Sequence, residues 1–252
     1  MLLRRITKHV NDQNWLAVFI DFLIVVVGVF IGIQVTNWNT QRVEQSLEFG
    51  YLERLKDEVT ESRDVTRFAN ESWIAQVDLL NLVIDSLDKC EIAENDKDNF
   101  AEGLYHLGKF ELAYLNNSTL EEMRSTGRIG IIKNADIRDA LAQLEREVSY
   151  QESVGPQLTA RISPHFEYVS QRISFRVTSI DEVLKMNEKF GDESFPFSSA
   201  ASYSLDTLCE DSKIIASISS IRATVYETMD WNGRIANDMD EALALINIEL
   251  GE

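Results

Sequence analysis

The sequence predicts an all-α protein with one N-terminal transmembrane helix that continues into an antiparallel helical-bundle domain outside the membrane. Three observations support this prediction. One unbroken apolar stretch near the N-terminus has the length of a membrane span. Further along the chain, apolar residues recur every three or four positions, as in helices that bury one face. Only three prolines and eleven glycines occur in 252 residues, too few for the many turns of a sandwich or barrel.

The predicted membrane span covers residues 16–35 and reads LAVFIDFLIVVVGVFIGIQV. As a helix, its roughly 20 residues extend ~30 Å, which matches the hydrocarbon core of a bilayer. Trp15 and Trp38 bracket the stretch, and tryptophan prefers the headgroup interfaces. The bilayer is therefore a predicted partner. Residues 1–15 form a tail, and residues 36–252 form one acidic helical domain.

A cleaved signal peptide is the competing interpretation, because a short basic segment precedes the apolar stretch. That stretch is longer than the usual apolar region of a signal peptide, which has about 7–15 residues. No Ala-x-Ala-like cleavage motif follows in residues 32–36. We therefore predict that the helix is retained as an anchor.

Basic residues lie mainly on the N-terminal side of the span. Arg4, Arg5 and Lys8 precede it, whereas Arg42 is the basic residue within about fifteen residues after it. Because basic segments stay in the cytoplasm, the N-terminus is predicted to be cytoplasmic. The large domain then lies outside the cytoplasm, which is the periplasm for the inner membrane of a Gram-negative bacterium.

One face of the predicted span carries an acid and two glycines. At about 100° per residue, Val25, Gly28, Gly32 and Val35 fall on the same side as Asp21. Small residues let a second helix approach closely, and acids within membranes usually serve a function. The simpler alternative is a near-interface acid that the bilayer tolerates by thinning. We favour a helix-contact face.

The net charge of −18 restricts the possible partners. No basic stripe is visible in the domain that would attract phosphate groups. Nucleic-acid binding is therefore not expected.

The first half of the domain shows four predicted elements. A helix of about 45 residues continues from the span, with an irregular point near residues 62–64 where polar residues interrupt the apolar stripe. A polar loop over residues 90–98 and a short helix over 99–110 follow. Ser118 and Glu121 have the spacing of a capping box, which predicts a short helix that ends at Gly127.

In the second half, residues 128–133 are short and apolar and are predicted as an extended segment. Asn134 or Asp136 caps the next helix, and a further amphipathic pattern begins after Gly155-Pro156. Residues 189–212 read as an irregular loop. The C-terminal stripe over residues 214–250 fits either two helices or one helix interrupted near Gly233.

Two segments resemble a family of uncharacterised bacterial membrane-anchored proteins, known as a domain of unknown function. They are Asp21–Asn39 (DFLIVVVGVFIGIQVTNWN) and Ser118–Leu141 (STLEEMRSTGRIGIIKNADIRDAL), together about a sixth of the chain. The family more often has glutamate at the position of Asp21, and Ser-Gly where this chain has Thr126-Gly127. The resemblance implies a membrane-tethered helical protein and no particular activity.

The sequence contains no catalytic motif that we can identify, and we predict neither an enzyme nor a cofactor. The three histidines are far apart. Glu102 and His106 have the i, i+4 spacing of two metal ligands on a helix, but no second histidine or cysteine lies nearby, so a surface pair is favoured. No phosphate-binding loop, nucleophile elbow or dinucleotide fingerprint is present.

Cys90 and Cys209 are the only two cysteines. Outside the cytoplasm they can form one intramolecular disulfide, and both lie near predicted loop edges. Two free buried thiols are the alternative, and the sequence leaves both open.

Two functional hypotheses follow. The first is a membrane-anchored interaction, scaffold or sensor module that oligomerises through its transmembrane helix or contacts another envelope protein. The alternative is a subunit of an ion-coupled or channel-like complex in which Asp21 titrates within the membrane. This alternative rests only on the arrangement of the chain, which has one predicted span with an acid in it.

Overall fold

The computed structural model describes residues 15–109, 111–177, 179–182 and 196–252, with side chains for all of these except residues 15–18 and Asp21. The chain divides into two units, residues 1–51 and residues 52–252. The first α-helix contributes to both units, and each unit is described by itself. Residues 1–14 of the predicted tail, including His9, lie outside the described part of the chain, and Trp15 begins α1.

The predicted all-α class is confirmed, since helices make up 83% of the structure and strands 2%. In chain order the helices are α1 Trp15–Lys89, α2 Lys97–Tyr105, α3 Ser118–Ser125, α4 Ala135–Ser170, α5 Phe197–Ala200, α6 Leu205–Glu210 and α7 Ser212–Leu250. Short 3-10 turns occupy Glu94–Asp96 and Ile129–Ile131, and strands β1 Ser174–Phe175 and β2 Ala201–Ser202 pair antiparallel.

In the first unit, α1 is exposed along its apolar part. From Phe22 onward it is long and apolar enough to cross a membrane, and its apolar window has no buried residue. The helix continues without interruption through residues 62–64, where the sequence predicts an irregular point. The polar residues there contact another segment of the chain instead.

The second unit is built around α1, α4 and α7. Helix α7 runs antiparallel to α1, because Arg222 near its start donates to Asn81 at 2.6 Å and Glu252 just past its end pairs with Lys56. The apolar stripes of these helices and Phe100 of α2 form the core, which includes Trp73, Leu80, Ile214 and Ile221.

Helix α7 is antiparallel to α4 as well. At one end of this pair Asn134 donates to Glu249 at 2.9 Å, and at the other end His165 lies 3.2 Å from Ser217. Helices α1 and α4 therefore run in the same direction. The chain must travel back along the bundle between them, and it does so largely in residues 106–109 and 111–117, which lack regular secondary structure and are called the strap below.

Two predicted interruptions are absent. Helix α4 passes through Pro156 and Pro164, although each proline removes one backbone hydrogen bond. Buried Val148 lies before these positions, Leu158 and Ile162 lie between them and Val169 lies after them, so packing on both sides offsets the loss. Helix α7 likewise continues through Gly233.

The close approach of α2 to α1 depends on a glycine. A Cβ added at Gly103 would lie 2.9 Å from Val83 Cγ2 and 3.1 Å from the Leu79 carbonyl oxygen. Alanine normally stabilises a helix relative to glycine by up to about 1 kcal/mol. Gly103→Ala should instead destabilise the domain by about 1–3 kcal/mol, because α2 must move away from α1.

Urea denaturation of the full chain in detergent, followed by circular dichroism, measures this effect. Gly130→Ala is the control, since a Cβ there meets no atom within 4 Å, and its free energy of unfolding should change by less than about 0.5 kcal/mol. A Gly103→Ala protein as stable as the parent would contradict the packing described for α2.

Candidate functional site

The face predicted for helix contacts lies on an open side of α1. A Cβ added at Gly28 or Gly32 would meet no heavy atom within 4 Å, and Val25 and Val35 are exposed. Their spacing of three and four residues places the four side chains in one stripe. Asp21 belongs to the same helix, one turn before Val25, but its side chain is outside the described set.

The C-terminal border of the span has the features of a membrane interface. Trp38 is 65% exposed, and the Arg42 guanidinium carbon lies 5.9 Å from the centre of its ring. Thr36 and Thr40 donate their hydroxyls to backbone carbonyls one turn earlier, both at 3.0 Å. The threonine hydroxyls are thus satisfied within the helix. Trp15 begins α1, and its side chain is not among those described.

Cys90 and Cys209 form a disulfide, with their Cα atoms 5.5 Å apart. The bond joins the residue that follows α1 to helix α6, across a sequence separation of 119 residues. Closing a loop of that length contributes about 3–5 kcal/mol by restricting the unfolded chain. The disulfide therefore ties the irregular region before α7 to the end of α1.

Glu102 and His106 lie beside each other at the C-terminal end of α2. The Glu102 carboxylate lies 4.0 Å from His106 Nε2, and burial raises the pKa of Glu102, with a smaller contribution from Asp98. Among the described residues, no group of three histidine, cysteine or acidic side chains could hold a metal ion. His106 is buried, contrary to the surface pair that the sequence favoured.

A serine and a histidine also meet, although far apart in sequence. His165 Nδ1 lies 3.2 Å from Ser217 Oγ, a distance typical of a nucleophile and its general base. Ser217 is only 1% exposed, so a substrate cannot reach its hydroxyl. The pair is a contact between α4 and α7.

The strap is bound by polar side chains of α1 at the position where the sequence predicts an irregular point. Ser62 Oγ accepts a hydrogen bond from the Asn116 backbone N–H at 2.9 Å, and Thr66 Oγ1 accepts one from the Tyr114 N–H at 3.2 Å. Both α1 residues are fully buried. The polar interval near residues 62–64 is thus the docking position of the strap, not an irregularity in the helix.

On the other side, the strap is bound by one residue from α4 and one from α7. Gln151 Oε1 accepts from the Ala113 N–H at 2.7 Å, while Gln151 Nε2 donates to Asn232 Oδ1 at 2.7 Å. Asn232 Nδ2 donates to the Glu111 carbonyl at 3.2 Å. Both amide side chains are 0% exposed, and their hydrogen bonds connect the strap to two helices at once.

The start of α3 is fixed by a carboxylate from α1. Glu58 accepts hydrogen bonds from the Thr119 N–H at 3.0 Å and from the hydroxyls of Thr119 and Ser118 at 2.7 and 2.6 Å. The predicted capping box of Ser118 and Glu121 is therefore wrong. Glu58 satisfies the N-terminal N–H in its place, and it suits the positive end of the helix dipole.

A charged cluster closes the other end of the bundle. The Tyr168 hydroxyl donates to Asp211 at 2.7 Å, and Arg172 lies 3.1 Å from the same carboxylate. Arg172 and Lys213 lie 4.0 and 3.9 Å from the centre of the Tyr168 ring. The hydrogen bond from Tyr168 lowers the pKa of Asp211, and the same bond raises the pKa of Tyr168.

Several cavities open on the surface of the described part of the domain. The first, of about 600 Å³, lies between the strap and α4. An apolar cavity of about 190 Å³ lies among α2, α4 and β1. A polar one of about 330 Å³ lies between α4 and α7 and contains Trp231.

Gln151 should be essential to the stability of the domain. Gln151→Ala leaves the Ala113 N–H and Asn232 Oδ1 without the partners that Gln151 supplies, so the free energy of unfolding should fall by about 2–4 kcal/mol. Gln143→Ala is the matched control, because Gln143 is exposed on the same helix. Denaturation of the two variants in detergent measures both effects. Equal losses would contradict the role assigned to the strap.

The cluster at Asp211 predicts a pH-dependent effect. Because the pKa of Asp211 is lowered in the folded state, its stabilising contribution is present above its unfolded pKa and is lost as the pH falls through the folded pKa. Tyr168→Phe removes the main cause of the lowering. The variant should be less stable than the parent at pH 7, and the difference should shrink toward pH 3.

Urea midpoints at several pH values test this, and an NMR titration of Asp211 should show its pKa rising in Tyr168→Phe. Tyr226→Phe is the control, since Tyr226 is exposed on α7. A stability difference for Tyr168→Phe that does not vary with pH would rule out the coupling.

Comparison with known proteins adds no relative: the sequence matches no protein-family model and no curated protein, and the structure matches no solved structure.

Proposed function

We propose that the protein is a single-pass bacterial inner-membrane protein whose helical domain serves as a non-enzymatic interaction, scaffold or sensor module. The observation that carries this proposal is the exposed apolar stretch of α1. Its window beginning at Phe22 has a mean hydropathy of 1.7 and no buried residue. Such a surface is unfavourable in water and favourable in a lipid bilayer.

The orientation proposed is a cytoplasmic N-terminus with the domain on the opposite side. The basic residues Arg4, Arg5 and Lys8 support it, as does the Cys90–Cys209 disulfide, because disulfides persist in oxidising compartments. The resemblance to the uncharacterised bacterial family supports the same layout.

Oligomerisation through α1 is the second part of the proposal. The contact face consists of Asp21, Val25, Gly28, Gly32 and Val35. The two glycines leave space for the backbone of a second helix, and a partner helix would shield the acid from lipid. The partner is a second copy of the chain or another envelope protein.

The alternative, an ion-coupled complex, depends on Asp21 alone. It requires a multi-span partner that offers water or a proton path to the carboxylate. Co-purification of such a partner from native membranes would favour this alternative over a homo-oligomer.

Gly28→Leu tests the contact face directly. The larger side chain should keep the helices apart, so that the protein in mild detergent shifts from an oligomeric to a monomeric mass. Light scattering coupled to size-exclusion chromatography measures the mass.

Val26→Leu is the control, because Val26 lies about 160° around the helix from Gly28 and its substitution should leave the mass unchanged. If the Gly28→Leu protein keeps the parent mass, oligomerisation through this face is excluded.

A further inference from the structure

The polar cavity between α4 and α7 is lined by residues other than those to which the anchoring and oligomerisation proposals refer. Its volume is about 330 Å³, within the usual range of ligand-binding clefts. It combines an aromatic side chain with two carboxylates, two amides and one cation: Trp231, Glu147, Asp238, Gln143, Asn237 and Arg234. We call it the α4–α7 groove.

The two helices hold these side chains in a fixed register. Gln143 of α4 lies 3.5 Å from Asp238 of α7, and the buried pair of Gln151 and Asn232 fixes the helices one to two turns away. Tyr150 packs against Trp231 with ring centres 5.4 Å apart. The groove is therefore preorganised and needs no rearrangement to present its aromatic and acidic groups.

Tyr150 extends the aromatic surface beyond the groove. Tyr150 is 61% exposed, and among the described ring contacts its aromatic partner is Trp231 of α7. Tyrosine, tryptophan and arginine are the residues that most often dominate binding energy at protein interfaces. The composition of the groove is thus that of a binding surface.

The charges of the groove favour a cationic ligand. Within the described part of the chain, neither Glu147 nor Asp238 forms an ion pair, whereas Arg234 is paired with Asp230 on its own helix at 3.3 Å. A guanidinium or ammonium group gains both from an indole face and from carboxylates. The net charge of −18 also attracts basic partners and repels acidic ones.

We propose that the α4–α7 groove binds a basic segment of a partner protein, with an arginine or lysine side chain against Trp231 and between Glu147 and Asp238. This inference rests on the proposed function as an interaction module and supplies the chemistry of its partner. It is independent of the transmembrane face, because all the residues involved lie in the second unit.

The full chain in nanodiscs of neutral phosphatidylcholine, labelled with 5-fluorotryptophan, provides the test. The chain has four tryptophans, and the resonance of Trp231 is identified by its loss in Trp231→Phe. The probes are an acetylated and amidated tetra-arginine peptide, the corresponding tetra-glutamate peptide and the neutral sugar maltotriose.

Tetra-arginine should shift the Trp231 resonance in a saturable and salt-sensitive manner, whereas tetra-glutamate should not. The double variant Glu147→Gln/Asp238→Asn should bind tetra-arginine at least about tenfold more weakly. Glu71→Gln/Asp78→Asn makes the same charge change at two exposed sites on α1 and should weaken binding by less than about threefold.

Arg234→Gln distinguishes binding of tetra-arginine in the groove from its general attraction to the acidic domain. It removes the positive charge that lines the groove and repels a cationic ligand, so tetra-arginine should bind about two- to fivefold more tightly. Weaker binding by this variant would contradict the proposed position of the ligand.

The inference is overturned if tetra-arginine does not shift the Trp231 resonance, or if the two double variants lose equal affinity for tetra-arginine. A salt-independent shift with maltotriose alone would also overturn it, because it indicates a carbohydrate site. None of these affects the anchoring proposal. If Gly28→Leu changes the oligomeric mass while tetra-arginine fails to bind, the groove proposal fails alone.

Discussion

The parallel direction of α1 and α4 is the constraint on which the rest of the domain depends. A chain that leaves the end of α1 must return along the bundle before α4 can begin in the same direction. Backbone groups in the strap that performs this return lack the hydrogen bonds of a helix or sheet, and buried unpaired groups are costly. The domain meets this requirement with buried polar side chains from all three long helices, namely Ser62, Thr66, Gln151 and Asn232.

These same side chains position the surfaces of the domain. Gln151 and Asn232 bind the strap and each other, which fixes the register of α4 against α7. That register brings Tyr150 to Trp231 and thereby forms one side of the α4–α7 groove. A packing requirement inside the bundle thus determines the arrangement of groups on its surface.

Much of the fold could be predicted from the sequence, because apolar periodicity reports which faces of helices are buried. The long apolar N-terminal helix and the stripes of the long helices follow from that pattern. The strap could not be predicted in this way, since hydrogen bonds from side chains to an irregular segment have no period. Pro156 and Gly233 predict breaks in two helices, but tertiary packing keeps both helices continuous. The candidate groove joins residues from two helices about 90 positions apart, and its register appears only in the structure.

Hydrogen exchange of the full chain in lipid nanodiscs tests the central claim most directly, because the strap amides have side-chain acceptors instead of a regular ladder. The N–H groups of Ala113, Tyr114 and Asn116 should exchange as slowly as the core of α7, through global unfolding of the domain. Exchange of these three amides within seconds, while α4 and α7 remain protected, would show that the strap does not lock the bundle.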